Sequence, residues 1–388
     1  MNKTLLTTLC LLLLAGGVCQ AAPTKAPKGK KDKTALKVDK KAAKADKKDK
    51  AKDKKGKKGK TNGEIKTTEE LDAVLSAAAL ELAPTVELKL GGDLKGREIG
   101  ELVQATQAGH ALAGYSFSEN RSTGKVTLSP QYHDATKMAA VLRDDSLRSQ
   151  LTPDEAKAFD SLKARLDSII TPDMSDFDKL VAVHDNIINN ARYLINDKTE
   201  KGSIAVLLND KIALCTGYTR LAKVMLDYVG VPTLIVVGES KGPHTWNLVN
   251  VDGAWRHVDV TWDDPVDTQG GTDKLIYDYL GLSDADLSRD HTWDKTGLPE
   301  VTTDTPLYLT RKGLYCRNFD EFWANAEKAA EGGATKYEGY ITDLGQPGDL
   351  KKSADAYMQK GGKLRIQRFA APQGESRGTV ILHFAPLQ

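Results

Sequence analysis

Three side chains in this 388-residue chain have the types that thiol chemistry needs: Cys215, His244 and Asp259. A thiol attacks a carbonyl only as a thiolate, and an oriented imidazole beside it must carry the proton. Cys215 opens the stretch "CTGYTRLAKVMLDYVGVP", in which Leu221, Val224, Met225 and Tyr228 recur at helical spacing up to Gly230. That spacing predicts a helix with Cys215 at or near its N-terminus, where unpaired amides and the helix dipole favour a thiolate. Free cysteine is commonly a buried core residue, but a helix start is a poor place for an inert one.

The stretch "HTWNLVNVDGAWRHVDVTWDDP" follows. Two β patterns flank Asp252 and Gly253, a strong two-residue hairpin signal. With that turn, Val251 faces Ala254, Trp246 faces Asp259, and His244 lies diagonal to Asp259 on one sheet face, shared with Leu248, Trp255 and His257. Diagonal neighbours stand roughly 7–8 Å apart, close enough for long side chains to meet. The hairpin therefore predicts a His244–Asp259 hydrogen bond, which would hold the imidazole in one tautomer. His257 lies further from the open end and reads as structural. Asp263 and Asp264 read as shaping the turn before Pro265, and the neighbours His184 and Asp185 as structural hydrogen-bonding groups. Cys215 has no nearby cysteine partner, and neither a His-Glu-x-x-His run nor a glycine-rich phosphate loop occurs. No metal or cofactor is expected.

Helices must support this hairpin. Thr152 and Pro153 read as cap and first residue of one, and "DFDKLVAVHDNIINNARYL" carries Leu180, Val183, Ile187 and Ile188 along one face of another. On either side, two distant segments read alike. "GDLK" occurs at 92–95 and 348–351, and Ser-x-Gly-x-Val-x-Leu at 122–128 and 376–382. Each set belongs to a helix, strand, helix, strand, strand order. The expected organisation is a signal peptide at 1–21, a Lys-rich arm at 22–66, a small α+β module at 67–135, a central domain at 136–300, and a second module at 301–388 repeating the first.

The opening residues have a charged start at Lys3, an apolar run and a small-residue cleavage site ending at Ala21, as a secretion signal does. Lipid attachment at Cys19 is the alternative, but no leucine stands three places upstream of it. Residues 25–60 hold 18 lysines and 5 aspartates, a net of +13. The chain totals +2, so residues 61–388 carry −12 once Lys3 is counted. The arm lacks large apolar residues and should be disordered, either as a solvated spacer or as a contact for an anionic envelope surface. No base-reading motif points to specific nucleic-acid binding. No later apolar run suits a transmembrane segment, so the mature chain is expected to be exported, periplasmic or secreted. Cys10 and Cys19 would leave with the signal. A bond between the remaining Cys215 and Cys316 would silence the thiol.

Residues 175–295 resemble the transglutaminase-like superfamily, a papain-related group. The resemblance rests on five segments in order: "VHDNIINNARYL", "CTGYTRLAKVMLDYVGVP", "HTWNLVNVDGAW", "RHVDVTWDDP" and "YDYLGLSDADLSRDHTWD". It implies an α+β fold in which a helix carrying the cysteine packs on an antiparallel sheet carrying histidine and aspartate, flanked here by the two modules. It also implies a Cys215–His244–Asp259 triad acting on a protein or peptide amide, with Trp246, Tyr218 and Trp262 as candidate substrate contacts. Hydrolysis, amine transfer, and an envelope-binding scaffold with a vestigial triad are the readings left open. The sequence departs from bacterial relatives at "KGSIAVLLNDKIALC", which has Ser203 and no aromatic residue, so a second oxyanion donor beside the Cys215 amide is unassigned.

Overall fold

Thr67 accepts a hydrogen bond from the Glu70 amide at 3.2 Å and so starts the first long helix, α1 (Thr68–Leu80). The computed structural model describes residues 7–9, 63–193, 202–264, 275–303, 305–343, 349–359, 363–370 and 378–385. Nearly all of the expected signal and of the Lys-rich arm lies outside them. The first unit comprises β1 (Thr7–Leu9), α1, β2 (Val86–Lys89), α2 (Ile99–Gln104), β3 (Leu112–Asn120) and β4 (Lys125–Tyr132), in strand order β1-β3-β4-β2. Its core joins Leu71 and Leu75 of α1 to Val86, Leu88, Val126 and Leu128 of the sheet. Gly124 turns β3 into β4 at φ +69°, where a Cβ would stand 2.2 Å from the Leu90 carbonyl oxygen.

The middle unit begins with α3 (Asp134–Arg143), α4 (Pro153–Ile169), α5 (Asp176–Ile188), α6 (Ile204–Asp210) and α7 (Cys215–Tyr228). Thr152 and Glu155 form a capping box at the start of α4, with Pro153 at the first position. Then follow β5 (Thr233–Glu239), β6 (Pro243–Val251), β7 (Ala254–Val258), β8 (Leu280–Leu282), α8 (Asp284–Leu287), β9 (Thr292–Trp293) and α9 (Leu307–Arg311). The five strands form an antiparallel sheet in order β8-β7-β6-β5-β9. Alternation divides its side chains. Val249, Val251 and Val258 join the helical core, whereas Trp246 and Leu248 join a second core with Tyr279, Leu282 and Leu287. Leu221, Val224 and Met225 of α7 are buried, but Tyr228, expected in the same buried stripe, is 42% exposed in the last turn. Gly230 ends the helix at φ +86°. Residues Leu307, Tyr308 and Leu309 of α9, counted on sequence with the last module, pack into the middle core instead. The apolar side chains of this short helix find their partners there.

The third unit has β10 (Tyr315–Cys316), α10 (Phe319–Glu331), β11 (Lys336–Ile341), α11 (Asp349–Gln359), β12 (Lys363–Ala370) and β13 (Gly378–Ala385). Its order is β10-β11-β13-β12. The series β12-β13-β11 has the same order and antiparallel sense as β3-β4-β2 in the first unit. Register agrees too: Leu128 faces Val86 and Val126 faces Leu88, as Leu382 faces Tyr337 and Val380 faces Gly339. The two "GDLK" runs differ. The first forms a short 3-10 turn, Gly92–Leu94, ahead of α2, whereas Asp349 of the second opens α11. Among the described residues no helix is long and apolar enough to cross a membrane.

One side chain of the first unit, Gln107, hydrogen-bonds the middle sheet. β9 pairs with β5 only at Gly238 and Glu239. Beyond it, Gln107 closes the edge: its Nε2 donates to the Ile235 carbonyl at 3.1 Å and its Oε1 accepts from the Ile235 amide at 3.0 Å. Gln107→Ala should therefore cost about 1–3 kcal/mol, the scale for polar groups left without partners. Urea unfolding checks this, and an unchanged midpoint would show that the edge is held by other contacts.

Candidate active site

α7 begins at Cys215 after Leu214, which supplies no side-chain cap, so among the described residues the first-turn amides are left without one. The helix meets the sheet where β6 loses a neighbour. Asp252 (φ +53°) and Gly253 (φ +84°) form the tight turn, and β7 pairs with β6 from Val251–Ala254 to Asn247–Val258. There β7 ends. The Asp259 amide turns away to the Tyr279 carbonyl at 3.1 Å. This leaves β6 uncovered at His244 and Thr245, and the Cys215 sulfur interacts there with the His244 side chain and with the amide and hydroxyl of Thr245.

His244 Nε2 lies 2.6 Å from Asp259 Oδ2, and both residues are buried. Nδ1 is thereby the nitrogen left for the thiol. The Asp259 carboxylate is fully engaged: Oδ1 accepts from the Thr261 and Trp262 amides at 3.0 and 3.1 Å, and Oδ2 also meets His291 Nε2 at 3.1 Å. Burial opposes its charge, yet His244 and His291 outweigh burial and hold the carboxyl well below the usual range. Burial likewise opposes a charge on His244, but Asp259 and Cys215 raise it to about 10. At Cys215, burial favours the thiol, and His244 and Thr245 overcome this to lower its pKa. The geometry thus favours a thiolate–imidazolium pair over the neutral pair.

Neighbouring groups hold these three in place. The Trp246 ring stacks on His244 with centroids 5.9 Å apart, and its indole N–H donates to His257 Nδ1 at 3.0 Å. His257 is then the Nε2-protonated neutral tautomer, paired with Asp284 at 2.8 Å, and burial drives its pKa down to about 4. Asp263 does more than shape a turn. Its Oδ1 accepts from the Tyr279 amide at 2.9 Å and its Oδ2 meets His184 Nε2 at 3.1 Å, which ties the segment after Asp259 to α5. Burial pushes Asp263 up to about 7 against the pull of His184. His184 Nδ1 meets Asp185 at 3.0 Å, and the Tyr218 hydroxyl donates to Asp264 at 2.5 Å.

Two expected substrate contacts do not fit that role. Trp246 is 1% exposed and Tyr218 0%, so neither can touch a substrate; each packs in a core and positions the groups above. Trp262 is half-buried against Tyr279 and His291, with the Lys241 ammonium 4.8 Å from its ring centre. Ser203 is committed to capping α6 and donates to Asp134 at 2.5 Å. Two residues were not singled out on sequence. Tyr193 bridges to Ala213, two residues before Cys215, and burial together with the charges of Cys215 and Asp259 raises its phenol to about 12. His291 escapes hairpin reasoning because it enters from the residue just before β9, which pairs with β5. The only available signal was its "DHTW" segment, where Trp293 lies opposite Gly238 and Gly238 opposite His244. His244, Asp259 and His291 place potential ligand atoms within 4.8 Å of one another, a cluster that sequence spacing did not reveal. Here those atoms bond to each other. Cys215 and Cys316 are separate free thiols, and Cys316 is buried in the third core, where burial raises its pKa.

A lowered thiol pKa means that thiolate persists at pH values where a free thiol is protonated. Iodoacetamide labelling of the Cys215 peptide should therefore continue well below the ordinary thiol range of about 8.5. Asp259→Asn should weaken the hold on the His244 proton and move that profile upward. Labelling of the unaltered protein with a free-thiol profile would refute the ion pair.

No curated protein matches the chain. The solved structures that resemble it include a TGase at 16% identity (TM-score 0.27, covering 50% of this chain and 55% of that one), a candidate cysteine protease from Cytophaga hutchinsonii at 11% (0.24, 35% and 51%), and a candidate protease from Parabacteroides distasonis at 12% (0.24, 69% and 56%). The chain spans little more than half the length of each. The family model described as the transglutaminase-like superfamily matches residues 163–260, from within α4 to just past Asp259. That stretch, with Cys215 at a helix start and His244 and Asp259 on the adjoining sheet, is a transglutaminase-like domain.

Proposed function

We propose that the protein is an exported thiol hydrolase of peptide or side-chain amides that works through Cys215, His244 and Asp259. The observation that supports this most is the two-sided hydrogen bonding of one imidazole: Nε2 on Asp259, and Nδ1 left for the thiol. The Cys215 thiolate attacks the amide carbonyl carbon, and the carbonyl electron pair moves onto oxygen. The Cys215 amide at the helix start and the Tyr193 hydroxyl donate to that oxyanion. As the oxyanion collapses, the C–N bond breaks and His244 gives its Nδ1 proton to the leaving nitrogen. An amine departs and a thioester remains. His244 then takes a proton from water, whose oxygen attacks the thioester, and the carboxylic acid leaves as the thiolate re-forms.

An amine in place of that water would make a new amide. The 18 lysines of residues 25–60 favour keeping this second reading, because they put primary amines on the same chain. In our reading the arm also touches anionic envelope surfaces, and the two outer units support the domain or dock substrate without supplying reactive groups. A scaffold with an idle triad is the remaining alternative.

Incubation with envelope proteins and a tagged amine, read by mass spectrometry, separates these outcomes. Cleavage or deamidation is expected in excess of amine incorporation, with both lost in Cys215→Ala while the fold persists. Turnover that survives Cys215→Ala would end the proposal. Tyr193→Phe should lower kcat by about 100-fold, as for loss of one oxyanion donor. An unaltered kcat would remove Tyr193 from that role.

A further inference from the structure

Asp259 Oδ2 serves two imidazoles, and only one of them faces the thiol. The second, His291, is 1% exposed. Its Nε2 lies 3.1 Å from Asp259 Oδ2, and its Nδ1 lies 2.6 Å from Asp290 Oδ1. Ionised carboxylates only accept hydrogen bonds, so with both charged each ring nitrogen carries a proton; burial opposes that imidazolium, and Asp259 and Asp290 outweigh burial to raise the pKa of His291. Asp290 is itself held, accepting from the Tyr279 hydroxyl at 2.7 Å. The charged and titratable groups facing His291 are Asp259, Asp290, His244 with ring centroids 5.5 Å away, Tyr279, and His257, whose proton affinity His291 lowers. Trp246 and Trp262 fill the remaining sides at 5.0 Å.

We propose that His291 is a positioning residue whose positive charge, placed on the oxygen that anchors His244, limits how tightly the Asp259 carboxylate holds the His244 proton. The inference rests on the triad reading above. Without that charge, Asp259 would bind the imidazolium more strongly, and His244 would give its proton to a leaving nitrogen less readily. The thiol would ionise less readily too, because a neighbouring cation had gone. His291 adjusts the acid; it does not touch the reacting atoms.

His291→Gln keeps a hydrogen-bond donor for Asp259 and removes the charge. The pH profile of iodoacetamide labelling, read at the Cys215 peptide of the full chain, tests the idea. Its two steps are thiol ionisation beside His244 and loss of the His244 proton. Both should move to higher pH by about 1 unit, a tenfold change in each ionisation constant, the scale for one charge roughly 5 Å away in a partly screened site. Unmoved steps in folded His291→Gln overturn the inference, because a packing role alone would change stability and leave them in place. Should that variant not fold, 15N-histidine NMR of the unaltered protein decides. The ring that contacts Trp246 edge-on must have both nitrogens protonated at about pH 7, and a neutral ring there overturns the proposal. If Cys215 of the unaltered protein labels like a free thiol, the triad reading itself falls and the inference with it. A lowered profile in the unaltered protein that His291→Gln does not shift sinks the inference alone.

Discussion

A single buried carboxylate organises this domain. An ion of that kind removed from water is costly unless paired and fully hydrogen-bonded. Asp259 is both, through the His244 and His291 rings and the Thr261 and Trp262 amides. Those partners come from β6, from the residue preceding β9 and from the turn after β7. Five strands and the segments between them must therefore assemble before the charge is stable. Asp263 and His184 repeat the device one turn later and tie the same segment to α5. The pairing is a folding constraint first. Its chemical use follows from where the uncovered end of β6 meets the start of α7.

The readable parts of the fold were those governed by local rules. A two-residue Asp-Gly turn sets strand register, and with register comes which side chains share a face. From that alone His244 and Asp259 could be brought together. Cys215 followed from helix spacing and the stop at Gly230. Burial was harder to read. Trp246 and Tyr218 stand beside the reacting residues in sequence, but alternation sends Trp246 into a core under the sheet, and Tyr218 lies in the core between α7 and the other helices. Adjacency along a chain does not decide exposure. His291 was illegible for another reason: its approach depends on β9 pairing with β5, a contact spanning about fifty residues with no turn signal to announce it. Nor do helix propensities say that α9 belongs to the middle core.

The outer units show how far short motifs carry. Val126 and Leu128, like Val380 and Leu382, are buried and lie opposite equivalent positions of the neighbouring strand. Alternation on a half-buried sheet accounts for that match. The "GDLK" runs match in letters but begin a 3-10 turn in one unit and an α-helix in the other. A four-residue run with a single apolar position does not specify a conformation, whereas apolar period does.

The uncapped start of α7 has a consequence for engineering. Position 214 is where a stability-minded designer would replace Leu214 with aspartate or serine, since a helix cap is typically worth about 1 kcal/mol. Aspartate there would also set a second anion beside the Cys215 sulfur and occupy the amides that an incoming oxyanion requires. The domain has left a readily available gain in robustness untaken at the one helix end where taking it would disable the thiol, and thermostabilising libraries should hold that position fixed.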